Sequence, residues 1–409
     1  MAAKKYKVLI IGGGTGGISV AARLKKYFSA TANEGASEIG IIEPSDVHYY
    51  QPLWTLVGAG VATAEASARP MSSLIPSGVD WIRTKVVSVD PNSKSVLLTD
   101  QSVVHFDYLI VASGLVLNWE KIEGLPGHLG SEGICTIYDI QQVNRTQQMI
   151  ENFKGGTAIF VMPPVPIKCA GAPQKIMYLA EQIFHRNEVR EKTKVIFATA
   201  GKAMFGIPVF AEALQKIVNE RGIEPLFLHK IVGVNASKRE AIFEVTKADG
   251  SLVKETLSYD LLHVVPPMSA HAWIASSGLA FSEGDQKGWM AVDKKTLQHL
   301  QFPYIFGVGD VTGVPNSKTG AAIRKQAPIV VNNLLQVMAG RKPDQDYDGY
   351  SSCPLTTEFG KVMLAEFGYD GKLMPTFPLD PAIPRRSYWH LKKDLLPLLY
   401  WQGMMKGRA

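Results

Sequence analysis

The clearest signal along the chain is a set of short, unbroken apolar runs, each closed by a turn. Residues 6–26, YKVLIIGGGTGGISVAARLKK, pass from an apolar run through a glycine turn into apolar positions spaced for a helix. Residues 39–46, IGIIEPSD, predict a second strand that ends at Glu43. Residues 106–114, FDYLIVASG, predict another. Residues 304–322, YIFGVGDVTGVPNSKTGAA, predict a strand, a loop through Gly309 and Asp310, and a helix that starts near Ser317. Strands alternating with helical patterns predict an α/β fold.

The plan then repeats. In the first copy the strand, turn and helix lead to a polar hairpin, VDPNSKSVLLTDQSVVHFDYLIVASG. In the second, the runs KTKVIFATA and PLFLHKIVGV lead to REAIFEVTKADGSLVKETLSYDLLHVVPPM, where Asp249-Gly250 is a hairpin-turn step. FDYLIVASG and YDLLHVVPP occupy equivalent places. Residues 151–290 therefore read as a second dinucleotide-type domain inserted into a first one built from residues 1–150 and 291–345, with 346–409 as a separate C-terminal region. The expected class is α/β with two Rossmann-like dinucleotide-binding domains and a C-terminal membrane-attachment segment.

Gly12, Gly14 and Gly17 fit G-x-G-x-x-G between a strand and a helix. Glycines let the backbone turn sharply and approach a pyrophosphate, which then rests on helix N–H groups. Glu43 is placed to accept from a ribose hydroxyl. NAD and FAD both use this motif. The Gly309-Asp310 segment looks like the aspartate that holds the ribityl chain of FAD in two-dinucleotide-domain flavoproteins, with Gly114 closing the returning strand. Lys318 and the adjacent helix start are expected near the flavin ring, where positive charge stabilises an anionic reduced flavin.

The second copy lacks this turn. It opens TAIFVMPPVPIKCAGAP, with three prolines ahead of Cys169. Prolines remove backbone donors and fix φ, so the loop is poorly suited to a pyrophosphate. Cys169 precedes a helix expected to start at Pro173, and Lys168 is its neighbour. A helix N-terminus and a cation lower a thiol pKa.

Composition narrows the classes. The 409 residues carry 43 basic and 37 acidic side chains, a mild net charge of +6, and no run suggests nucleic acid. Three cysteines make neither a disulfide scaffold nor a zinc site, so no metal is expected. The N-terminus enters a strand at once, with no signal or transit peptide visible, and no apolar run reaches the ~20 residues of a spanning helix. The last segment, RRSYWHLKKDLLPLLYWQGMMKGRA, mixes aromatics, leucines and basic residues. It suits a helix in the membrane interface, with aromatics at headgroup depth and Lys392, Lys393, Lys406 and Arg408 on lipid phosphates. On that reading, removing it leaves flavin reduction intact.

Together the residues carry a resemblance. GGGTGG, IIEPSDVHYYQPLWTLVGAG, IPSGVDWI, PVPIKCAGAPQKIMYLAE, LLHVVPPMS, DKKTLQH, FGVGD, SKTGAA, YDGYSSCPL and LAEF make the chain resemble the sulfide:quinone oxidoreductase family, its mitochondrial-like branch. The resemblance implies FAD contacts at Thr15 and Gly16, at Glu43, Gln51 and Val86, at Asp310, and from Lys318 to Gly320. It implies that Cys169 and Cys353 are a redox pair carrying sulfane sulfur. Cys135 looks like a third cysteine of some bacterial branches that the mitochondrial-like branch lacks. The implied partners are hydrogen sulfide, a sulfur acceptor (sulfide, sulfite, cyanide or a thiol), ubiquinone or a similar quinone, and a membrane surface, with a homo-oligomer compatible. Phe359 and Phe377 are candidate walls of a quinone pocket. The implied location is peripheral: the cytoplasmic face of a bacterial inner membrane, or the mitochondrial inner membrane after removal of a transit peptide. The rivals are a type II NADH:quinone oxidoreductase and a non-catalytic flavin/thiol redox sensor.

Overall fold

The computed structural model describes residues 4–29 and 38–409. The strand Lys4–Ile11 lies inside the first sheet because Val8, Leu9 and Ile10 are apolar on both faces and fully buried. It pairs in parallel with Ile39–Ile42 on one side and Val103–Val111 on the other, so that Leu9 faces both Gly40 and Leu109. Edge to edge the sheet runs Asp80–Ile82, Ile39–Ile42, Lys4–Ile11, Val103–Val111, Ser95–Leu98 and Val86–Asp90. The late strand Ile305–Gly307 also joins Val103–Val111, which returns the chain to the first sheet as the sequence predicts.

A second, wholly parallel sheet repeats the core of this plan. Its order is Ile134–Cys135, Leu261–His263, Gly156–Met162, Thr193–Thr199 and Glu224–Leu226. Leu261–His263 lies beside Gly156–Met162 as Val103–Val111 lies beside Lys4–Ile11, the equivalence read from FDYLIVASG and YDLLHVVPP. The Ile134–Cys135 strand belongs to this sheet, so the second unit recruits residues ahead of 151. The run at 225–234 is not one strand. Leu228 has φ +59° and breaks it into Glu224–Leu226 and His229–Asn235, which lie in different sheets. His229–Asn235, Glu240–Thr246 and Leu252–Ser258 form an antiparallel sheet, with Asp249-Gly250 at its second turn.

Two helices matter for the site. Ala172–Arg186 carries Pro173 in its first turn, one residue after the start, and is buried along most of its length. Gly320–Met338 begins three residues after Ser317, because the Thr319 hydroxyl caps it by accepting from the Ala322 N–H at 3.2 Å. The hairpin Ser351–Glu358 with Lys361–Phe367 packs Cys353 against the first of these helices.

The C-terminal run corrects the sequence reading. Residues 386–406 wind through α, π and 3₁₀ turns, and Tyr388, Lys392, Tyr400, Trp401, Met404 and Met405 are buried in the protein. Aromatics expected at headgroup depth, and one lysine expected on lipid phosphate, are inside instead, because the run closes over apolar surface left open by the first domain and the hairpin. Leu395 and Leu398 stay outside, 56% and 59% exposed. Among the described residues no helix is long and apolar enough to cross a membrane.

Candidate active site

Cys169 and Cys353, 184 positions apart in the sequence, meet between the prolines of the second domain and the C-terminal hairpin. Cys169 takes a left-handed φ of +50°, uncommon for a side-chain-bearing residue. Three backbone contacts hold it there. Its N–H donates to the Lys318 carbonyl at 2.9 Å, and its own carbonyl accepts from the Ala172 N–H at 2.8 Å and the Tyr138 hydroxyl at 3.1 Å. The first contact ties the cysteine loop to the segment leading into the Gly320–Met338 helix. Cys353 lies against Gly171, where a Cβ would come within 2.5 Å of its sulfur. Both cysteines are free thiols, within hydrogen-bonding reach of each other.

The cation that serves them is not Lys168, as the sequence suggests, but Lys175. Its ammonium donates to Cys169 Sγ at 3.2 Å from the buried face of the Ala172–Arg186 helix. Lys168 turns away; its ammonium donates to Gln51 Oε1 at 2.8 Å and lies 5.2 Å from the Trp54 ring centre. Burial pulls its pKa down to about 8. A second buried lysine, Lys392, comes from the C-terminal run. Burial and then repulsion from Lys175 lower it to about 7.

These neighbours split the two thiols. A hydrogen bond from Cys353, then the charges of Lys175 and Lys392, outweigh burial and hold the Cys169 thiol well below the ordinary cysteine value. The Cys353 thiol goes up, first because it is the partner that keeps its proton beside Cys169, then because it is buried. Burial alone would lower Lys175, but the two sulfurs, Cys169 first, hold its pKa above the usual lysine value. Cys169 is thus the thiolate of the pair and Cys353 the thiol. Cys135 lies in its strand, 1% exposed, with burial pushing its thiol up to about 12, which removes thiolate reactivity.

Gly12 and Glu43, expected to hold FAD, follow directly on the strands Lys4–Ile11 and Ile39–Ile42 of the first sheet. Gly12 has φ +101° and a Cβ there would meet the Ala112 carbonyl at 2.4 Å, while a Cβ on Gly17 would sit 1.8 Å from the Gly12 oxygen. The turn therefore closes only with glycine at both positions. Gly14, Gly114 and Gly320 instead face open space. Gly16 approaches Val308, and Thr15 starts the helix Thr15–Ser29. Glu43 follows its strand directly and accepts from the Gly13 N–H at 2.7 Å. Val86 begins the edge strand, half-buried and opposite Leu98.

FAD fits this cradle on two observations. The Ser113 hydroxyl, between Ala112 and Gly114, is buried with no hydrogen-bond partner among the described residues. The Asp310 carboxyl is raised by burial, eased by Lys318 and Lys168. Lys318 is buried beside the Asp310 loop. Its ammonium donates to the carbonyls of Asp310 at 2.8 Å and Thr312 at 2.9 Å and lies 3.9 Å from the Trp289 ring centre. Burial lowers it to about 8. It braces the Asp310 loop from within.

Comparison with known proteins decides the family. Residues 6–158 match the family model described as pyridine nucleotide-disulphide oxidoreductase. The mouse mitochondrial sulfide:quinone oxidoreductase is 41% identical over 402 residues, covering 98% of this chain and 87% of the relative. The chain belongs to the sulfide:quinone oxidoreductase family. The crystal structure of the sulfide:quinone oxidoreductase of Aquifex aeolicus superposes with a TM-score of 0.79 at 21% identity, covering 99% of this chain and 92% of that one. A type II NADH:quinone oxidoreductase of Staphylococcus epidermidis matches at 32% identity over only 31% of this chain. Members of the sulfide:quinone oxidoreductase family are FAD flavoproteins that oxidise sulfide and reduce a quinone.

Sequence reading missed Lys175, Lys392 and Ser113. Lys175 left a faint signal, a single cation in the otherwise apolar or neutral stretch APQKIMYLA. Lys392 left none, since it stands in a charged run that reads as solvated. Lys175→Met is expected to raise the Cys169 thiol pKa toward the ordinary cysteine range. In reduced enzyme, alkylation by iodoacetamide then slows at neutral pH and recovers as pH rises through the new pKa. An unchanged pH profile would assign the thiolate to other neighbours.

Proposed function

We propose that this chain oxidises hydrogen sulfide at Cys169 and Cys353 and passes the electrons through FAD to a quinone. The supporting observation is the meeting of these two cysteines at one lysine ammonium, one loop away from the flavin-binding helix. The cycle begins with the pair joined as a disulfide. In thiol–disulfide exchange the sulfur of lower pKa leaves faster, so HS⁻ attacks the Cys353 sulfur. Cys353 becomes a persulfide and Cys169 leaves as a thiolate, stabilised by Lys175 and Lys392. A second nucleophile takes the outer sulfur of the persulfide and leaves Cys353 as a thiolate. Re-forming the disulfide from two thiolates releases two electrons. Bound FAD supplies the two-electron acceptor for that step and the link to the quinone.

Gly12, Gly14, Thr15, Gly16 and Gly17 would hold the pyrophosphate, Glu43 and Val86 the adenosine half, and Gly114, Asp310 and the 318–320 segment the flavin half. Gln51 joins this cradle to the cysteine loop through Lys168. The sulfur acceptor is a small thiol-type or anionic nucleophile such as sulfide, sulfite, cyanide or a thiol.

The quinone and the membrane fit the same corner of the molecule. Phe377 lies 5.7 Å from Tyr388 and Phe359 6.5 Å from Trp389, centre to centre, just ahead of Lys392. Phe377, Leu379, Ile383, Leu395 and Leu398 are exposed apolar side chains within this stretch. They support a peripheral attachment to a quinone-bearing membrane, the mitochondrial inner membrane or the cytoplasmic face of a bacterial one.

Anaerobic stopped-flow absorbance tests the reading. Sulfide should bleach the flavin rapidly, a soluble quinone should restore it, and NADH should leave it oxidised. Bleaching by NADH and not by sulfide would make the chain a type II NADH:quinone oxidoreductase. Bleaching by sulfide without restoration by quinone would make it a redox sensor.

A further inference from the structure

The C-terminal run reaches back to the glycine turn through a chain of hydrogen bonds. Tyr400 is 3% exposed. Its hydroxyl lies 2.8 Å from Thr15 Oγ1 and 2.5 Å from His48 Nε2, and His48 Nδ1 lies 3.0 Å from the Gly13 carbonyl. A carbonyl only accepts, so Nδ1 carries the proton. Burial lowers His48 to about 4, so the ring is neutral and Nε2 accepts. Tyr400 then donates to His48, and its oxygen is left to accept from Thr15. The order Thr15 to Tyr400 to His48 to Gly13 is the one arrangement that uses each proton once.

The rest of the run is clamped to the same place. The Tyr50 and Tyr400 rings lie 4.4 Å apart, and the Arg69 guanidinium lies 4.9 Å from the Trp401 ring centre. Lys26 donates to the Gly407 carbonyl at 2.8 Å and Arg23 donates to the Ala409 carbonyl, both from the helix that begins at Thr15.

We propose that Tyr400 is a positioning residue of the flavin site: through Thr15 on one side and His48 on the other, it fixes the turn that receives the FAD pyrophosphate. The C-terminal run is on this view a component of the cofactor site as well as a cover for the cysteines. The Thr15 hydroxyl gives its proton to Tyr400, so the pyrophosphate is left to the backbone N–H groups of the turn and helix start. Those groups hold an anion well only while the turn stays put.

The test is release of FAD from purified holoenzyme after dilution, followed by the rise in free-flavin fluorescence. Thr15→Val is expected to speed release by about 10-fold, the effect of losing one buried hydrogen bond and stranding its partner, and Tyr400→Phe, which removes that bond and the one to His48, by about 10-fold or more. The double variant is expected to be no faster than Tyr400→Phe alone, because that change already breaks the bond Thr15 makes. The visible flavin spectrum should keep its maxima, since the chain touches the turn and not the ring. Trp401→Phe, which alters ring packing against Tyr400 and His48 but removes no hydrogen bond of the chain, should change release much less. Additive effects of Thr15→Val and Tyr400→Phe, or an equal effect of Trp401→Phe, would reduce Tyr400 to a packing role and overturn the proposal. If Tyr400→Phe fails to fold, wild-type release in Thr15→Val alone overturns it.

Discussion

Cys169→Ser and Cys353→Ser are each expected to abolish reduction of the flavin by sulfide while FAD stays bound. A serine cannot form the disulfide that sulfide must attack, nor carry the persulfide. The expected loss is about 10³-fold or more, the scale on which removal of a covalent-catalysis residue acts. FAD retention is expected to be independent of both residues because the proposed cradle stands on the 12–17 turn, Glu43, Ser113 and Asp310, and neither sulfur helps form that turn. The two variants should differ in one respect. With Cys353 removed, Cys169 loses the hydrogen bond that most depresses its pKa, so its alkylation should shift to higher pH. Cys135→Ser should keep most of the activity, since its thiol is buried and protonated. Near wild-type sulfide reduction in either Cys169→Ser or Cys353→Ser, measured by anaerobic stopped flow, would sink the two-cysteine mechanism.

Truncation after Arg386 is expected to cost the protein its flavin and much of its stability. Read as a surface anchor, the tail could be removed with sulfide reduction intact; the structure reverses that expectation. The lost segment buries Tyr388, Tyr400, Trp401, Met404 and Met405. At roughly 1.5–3 kcal/mol for each large apolar side chain taken out of water, that is on the order of 10 kcal/mol, comparable with the whole stability of a typical domain. The segment also supplies Lys392 to the cysteines and Tyr400 to the glycine turn. Purified truncated protein should therefore show little flavin absorbance and a lowered unfolding midpoint. Yellow, sulfide-reducible truncated protein would show that the tail is only an attachment. A narrower change separates the two roles: Leu395→Ser with Leu398→Ser alters only exposed positions. It should weaken binding to anionic liposomes and leave flavin content alone.

Where sequence reading succeeded, the signal was local. The glycine turn, the strand ending at Glu43 and the Gly309-Asp310 loop each carry their geometry in a few adjacent residues, because a sharp turn or close backbone approach admits few side chains. The repeated plan was legible for a related reason: buried parallel strands are short continuous apolar runs wherever they occur. Lys168 was misjudged because adjacency in sequence is a poor guide to direction at a left-handed residue. With Cys169 at φ +50°, the chain turns Lys168 toward Gln51 and Trp54, while Lys175 comes around on the helix to meet the sulfur.

The sequence by itself determined the α/β flavoprotein fold with two Rossmann-like domains, the second opening on prolines and a cysteine in place of a glycine turn, and its motifs carried the resemblance to the sulfide:quinone oxidoreductase family. The fold follows from turn chemistry and apolar periodicity, which act over a few residues and leave marks in the residue types. Tertiary structure alone decided which cation faces which sulfur, which of the two thiols is the stronger acid, and whether the tail lies outside or inside. Lys392, Tyr400 and Trp401 stand in a run whose charges and aromatics suit a membrane surface equally well as a core. Their burial depends on apolar surface and unpaired hydrogen-bonding groups presented by residues hundreds of positions away, such as His48 and Thr15. No local pattern records what lies on the other side of a contact.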